Sequence, residues 1–179
     1  MSIMAYIMSL EAGGYLSELH PSFGANTGVQ RVFAFPAAEG PLKGPWVSPL
    51  EAAQFNRAKA VLDLFMQGET MATRAPPSTS GRAQLALLDP AEDRVWEFRT
   101  RKGKLKKNEP RYGVRIFGMF ACKDVFIAML TDSKENCLED DDYTLTIEAC
   151  KRHWRSYFSS YDPALGDSTD DYLTNWFSC

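Results

Sequence analysis

Residues 112–130 read YGVRIFGMFACKDVFIAML, apolar almost throughout yet carrying Arg115, Lys123 and Asp124. Two runs rich in valine, isoleucine, phenylalanine and methionine flank a break near Ala121 to Asp124. That is the pattern of an antiparallel hairpin whose strands are built for a core. Arg115 falls just inside the first run. A guanidinium is expensive to bury without a partner, so Arg115 must meet either a carboxylate or a solvent-facing surface. It is a core ion pair or the working group of a site.

The neighbouring segments extend the hairpin into a unit. Upstream, DRVWEFRTR alternates Val95, Glu97, Arg99 and Arg101 against Trp96 and Phe98, which predicts a third strand and a three-stranded meander. Further upstream QRVFAF, residues 30–35, reads as a short strand, and PAAEGPLKGPW after it as a Pro/Gly-rich connection. In SPLEAAQFNRAKAVLDLFMQG, Ser48 can cap, Pro49 suits the first helical position and Glu51 completes a capping box. Phe55, Ala58, Leu62 and Phe65 then recur at helical steps until Gly68. RAPPSTSG, residues 74–81, is a compositional break expected to be a mobile loop. Downstream of the hairpin, the acidic DSKENCLEDDD leads into DYTLTIEACKRHWRSYFSSY, where Ile147, Cys150, Trp154 and Phe158 form an apolar helical stripe.

These elements predict an α/β (α+β) unit: a small curved antiparallel sheet containing residues 30–35, 94–101, 112–120 and 123–130, with helices near 48–67 and 143–160. On this reading residues 1–28 are an N-terminal extension, 29–160 the domain and 161–179 a C-terminal acidic tail. The Met-rich MSIMAYIM at the start suits either an extra core element or a contact surface for a partner.

At 179 residues and 45% hydrophobic, the chain has material for a sizeable core. It has no run of about 18 uncharged apolar residues, and MSIMAYIMSLEAGG lacks a positively charged leader region. A cytoplasmic protein without a membrane partner is expected. Cys122, Cys137, Cys150 and Cys179 show no C-x-x-C spacing and the chain has two histidines, His20 and His153, so reduced thiols, no metal and no cofactor are expected. The net charge of −3 hides an asymmetry: residues 94–123 hold ten Lys/Arg against two acids, a local +8. Such a band attracts polyanions, or is simply a solvated basic loop in RKGKLKKNEPR.

The run V-W-E-F-R, a basic segment, Y-G-V-R-I-F-G-M-F, K-D-V-F-I-A-M-L, then S-K and a helix E-A-C-K-R-H-W-R-S-Y, resembles the RelE/ParE toxin superfamily, and within it the HigB-like, phage-derived branch. The resemblance covers roughly residues 90–158, through a pattern similar to W-E-L-R, Y-R-V-x-Y, a strand, K-K and A-x-x-x-x-x-x-Y. It implies a RelE-like fold with helices on one face of the sheet. The implied activity is that of a type II toxin, an endoribonuclease acting on mRNA free or on the ribosome and silenced by a cognate antitoxin protein.

Metal-free cleavage of RNA needs cations on the phosphate oxygens and proton-transfer groups at the attacking and leaving oxygens. Arg99 and Arg115 match the family's two strand arginines, and on neighbouring strands they can emerge side by side. Lys134 occupies the place of the family's lysine pair, although its neighbour is Glu135. Arg101, Lys104, Lys107, Arg111, Tyr112 and Lys123 are the expected RNA-binding residues, Tyr112 by stacking on a base or donating a proton. His153 is expected on the polar side of the last helix. The bland alternative pairs the two arginines with Glu97 and Asp124. The superfamily's other branch inhibits DNA gyrase by binding alone, and a degenerate phage or mobile-element accessory protein would also dock without chemistry. Unlike this chain, toxins of the group are usually basic throughout and near 100 residues. The acidic LEDDD could act as a built-in antitoxin mimic, or serve only as the negative entry to the last helix.

Overall fold

The structure is a computed structural model that describes residues 1–24, 28–75, 83–100, 113–133, 136–137 and 143–178. It is a mixed α/β body around one curled, half-barrel sheet. The strands are β1 (Ser17–Leu19), β2 (Arg31–Ala34), β3 (Met71–Arg74), β4 (Leu85–Leu87), β5 (Trp96–Arg99), β6 (Val114–Cys122), β7 (Val125–Ser133) and β8 (Trp176–Ser178), in spatial order β1-β2-β7-β6-β5-β4-β3-β8. β4 to β7 form an antiparallel meander, whereas β2 lies parallel to β7, and β3 parallel to both β4 and β8.

The helices are α1 (Ile3–Ala12), α2 (Pro36–Lys43), α3 (Pro49–Met66) and α4 (Thr144–Tyr157). Alternation along the central strands decides which helix covers which face. Val32, Phe98, Ile116, Phe120, Phe126 and Ala128 point to the side of α2 and α3. Phe33, Phe117, Met119, Ile127 and Met129 point to the side of α1 and α4. Helices therefore lie on both faces rather than the one expected. The cause is that β6 and β7 have no polar face to leave in water: eight consecutive residues of β6, Val114–Ala121, are buried.

Local chemistry accounts for the helix boundaries. Ser48 Oγ accepts from Glu51 N (3.1 Å) at the start of α3, and Glu51 returns a bond to the backbone of Val47 (2.7 Å), one residue outside the classical box. Gly68 follows the last turn at φ +76°. PAAEGPLKGPW was expected to be a connection but holds α2. Pro36 stands at the first helical position, where its missing N–H costs nothing, so the segment forgoes only the bond at Pro41.

Both terminal segments join the same body. Ile7 and Leu10 of α1 are buried beside α4, and Tyr6 donates to the carbonyl of Tyr157 (2.6 Å). At the other end Tyr172 packs on Trp96 and Phe120 (centroids 4.9 and 5.8 Å). Asp124, in the β6–β7 turn at φ +62°, ties these parts together. Its carboxylate accepts from Gln30 Nε2 (3.3 Å), Thr174 N (2.9 Å) and the Thr174 hydroxyl.

Gly118 faces Trp96 at a β-bulge, and a Cβ there would meet Ile127 O at 2.0 Å and Phe126 Cζ at 2.7 Å. Gly118→Ala is expected to cost about 2–3 kcal/mol in urea unfolding. Gly40→Ala, in α2 with nothing within 4 Å of the added methyl, is expected to be neutral or to stabilise by up to about 1 kcal/mol. Equal effects of the two substitutions would contradict the packing described.

Candidate functional site

The register of β5 against β6 sets Arg99 directly opposite Arg115, and Glu97 opposite Phe117. All three charged side chains share the α1/α4 face, because they occupy alternate positions with Phe117 and Met119. Glu97 Oε1 lies 2.7 Å from Arg99 Nε, and Glu97 Oε2 lies 3.1 Å from Arg115 Nε. One carboxylate thus spans two guanidiniums. It is fully buried, while the Arg115 and Arg99 side chains are 9% and 18% exposed. These contacts have ion-pair distance without hydrogen-bond alignment, so neither Glu97 oxygen is saturated. Arg115 also donates from Nη1 to its neighbour's carbonyl, Val114 O (3.2 Å).

Cys137 and Tyr143 lie beside the cluster. Tyr143 stands on the ring of Phe117 (5.8 Å, edge-on), and its phenol is pushed up to about 12 by burial and by the Glu97 carboxylate, so it stays protonated at neutral pH. Burial, then Asp132, pushes the Cys137 thiol up to about 11, which makes it unreactive. Asp132 faces Arg115 in register, but its Oδ1 accepts from Ser133 N (2.6 Å) and Asn136 Nδ2 (2.7 Å). Glu97 and Asp132 thus set two carboxylates against the two guanidiniums, and among the described residues Glu97 alone lies within ion-pair distance of them.

Of the residues expected from sequence, Arg99 and Arg115 come together. Glu97 is the partner of both, and Asp124, the other carboxylate on offer, is committed to the terminal segments. Lys123 is exposed in the turn at the far end of β6, about 25 Å from Arg115 at about 3.3 Å per residue. It does not belong to the same site. Arg101, Lys104, Lys107, Arg111, Tyr112 and Lys134 lie outside the described residues. His153 is not a plain surface residue: it is half-buried against Phe35 (5.3 Å) and Tyr157 (6.4 Å), with Nδ1 buried and unpartnered.

Among the described residues no three His, Cys, Asp or Glu side chains are grouped to hold a metal ion, and no helix is long and apolar enough to cross a membrane. Cys122, Cys137 and Cys150 are free thiols. The chain matches no protein-family model, no curated protein and no solved structure.

Removing Glu97 would strand two guanidiniums in a largely closed site, so Glu97→Ala is expected to destabilise by about 3–5 kcal/mol in chemical unfolding. Glu97→Leu combined with Arg115→Met and Arg99→Met should recover most of that loss, as apolar replacements of buried ionic triads do. No recovery in the triple variant would mean that the cluster is more than an ionic contact for the fold.

Burial, and then Arg152, lowers the pKa of His153 from 6.5. The unfolded chain therefore takes up the proton first, and folding stability falls as pH drops below about 6.5. His153→Gln should flatten this slope between about pH 7 and 5, read as the melting temperature against pH.

Proposed function

We propose that the chain is a toxin of RelE/ParE type that binds mRNA and cleaves it without a metal. The observation that carries this reading is the direct cross-strand opposition of Arg99 and Arg115 about one shared carboxylate; in the sequence, the cationic stretch 101–111 follows directly. The order of elements supports it too: a strand and helices precede a meander and a final helix, the order that the resemblance implies.

In this mechanism the RNA 2′-oxygen attacks the adjacent phosphorus and the bond to the 5′-oxygen breaks, leaving a cyclic phosphate. Charge builds on the non-bridging oxygens, and Arg99, the more exposed of the pair, receives it. Glu97 holds both guanidiniums by Nε, which leaves the Nη groups of Arg99 as the donors for phosphate. Proton transfer to and from the reacting oxygens falls to Lys134 and Tyr112, by position in the sequence. Arg101, Lys104, Lys107 and Arg111 hold the RNA backbone. The partner that silences the protein is an antitoxin with an acidic segment complementary to this band.

Burial of Arg115 favours a second reading, in which the cluster serves the fold and the protein acts by docking another protein, as the gyrase-binding branch does. Expression of wild type, Arg99→Ala and Arg115→Ala separates the two. Arg99→Ala is expected to keep its melting temperature within a few degrees while mRNA cleavage falls about 10²- to 10³-fold. Arg115→Ala is expected to melt early. A folded Arg99→Ala protein that still cleaves mRNA at the wild-type rate would overturn the role given to Arg99, and a wild type that cleaves no mRNA would overturn the nuclease assignment. Absence of cleavage by the wild type, with supercoiling by gyrase inhibited, would establish the docking form.

A further inference from the structure

A separate cavity of about 260 Å³ lies on the opposite face of the sheet, between the edge strand β1 and helices α2 and α3. Its apolar part is Leu19, Leu42, Leu62 and Met66, and its rim carries charge of both signs. Most of that charge is already neutralised. Arg31 forks onto both oxygens of Glu18 (2.7 Å each), and Lys43 holds Glu39 (2.7 Å).

Two wall residues are left over, Asp63 and Lys59, on successive turns of α3. Asp63 is 8% exposed, and its Oδ1 is buried without a hydrogen-bond partner. Lys59 forms no ion pair among the described residues. A lysine one turn ahead of an aspartate is the less favourable order for a pair within a helix, since each charge then opposes the helix dipole. Both side chains line the one cavity, and no ion pair joins them. A carboxylate buried in this state is destabilising until something donates to it.

We propose that this cavity is a binding site for a small zwitterion of the α-amino-acid type with an aliphatic side chain. The ligand's ammonium donates to Asp63, its carboxylate meets Lys59 with His20 beside it, and its side chain lies on Leu42, Leu62 and Met66. A cavity of about 260 Å³ has room for a small molecule. A simple amine would satisfy Asp63 but leave Lys59 facing a second cation. A simple carboxylate would satisfy Lys59 and be repelled by Asp63. A ligand that carries both groups matches the two residual charges. The site lies on the α2/α3 side of the sheet and does not depend on the ribonuclease reading, which concerns the α1/α4 side.

The test is calorimetric titration of the full chain with three probes: L-leucine, isopentylamine and N-acetyl-L-leucine. The wild type is expected to bind L-leucine saturably with one site, and the two probes lacking a charge at least about tenfold more weakly, the loss expected for one charge-assisted hydrogen bond. Asp63→Asn and Lys59→Met should each weaken L-leucine binding by a similar factor. No saturable heat with L-leucine, or isopentylamine binding as tightly as L-leucine, would overturn the proposal. The wild-type comparison holds whether or not the variants fold. A folded Asp63→Asn protein that binds L-leucine unchanged would overturn it as well.

Discussion

A strand with no face left for water governs this molecule. β6 is buried along nearly its whole length, and β7 beside it for most of its own. Side chains on alternate positions must therefore be covered from two directions, and one helical layer cannot do that. The chain answers with α2 and α3 on one side and α1 and α4 on the other. For this reason the N-terminal helix is part of the core. The C-terminal segment is recruited similarly, with Tyr172 closing over Trp96 and Phe120.

The same burial dictates the chemistry at Arg115. Position 115 lies on a covered face, so its guanidinium needs a negative partner close by, and the neighbouring strand supplies Glu97 two positions before Arg99. A single carboxylate spans two arginines, and both contacts are poorly aligned as hydrogen bonds. The arrangement is tolerable as an anchor and also leaves Arg99, at the strand end, with donors to spare. Structure and chemistry are thus not competing explanations for the pair: Arg115 serves mainly the former, and Arg99 has the exposure to serve the latter.

Much of the architecture was legible because it rests on local rules. Ser48 and Pro49 mark the start of α3 and Gly68 its end, and the observed helix, Pro49–Met66, lies within the expected 48–67. The hairpin turns at Lys123 and Asp124, inside the break that divides two apolar runs. The α2 segment escaped notice because its proline and glycine content argues for a loop, yet one proline sits where a helix requires no donor. β1, β4 and β8 are three residues long each, too short to carry a periodicity of their own, and exist because a neighbouring strand offers free backbone groups. Asp63 was unreadable for another reason: it lies beside the apolar stripe of α3, and only the packing of β1 and α2 against that helix covers it.

The sequence by itself determined the meander, the two long helices, and the placing of Glu97 and Arg99 on one face of their strand, since period-two and period-3.6 patterns follow from local geometry. Tertiary structure alone decided their pairing. It chose Glu97 over Asp124 as the partner of Arg115, separated Lys123 from the arginines, and placed Asp63 beside a cavity. Each of these depends on strand register and on which segment closes over a face. Register and closure come from packing between residues far apart in the chain, which a local pattern does not encode.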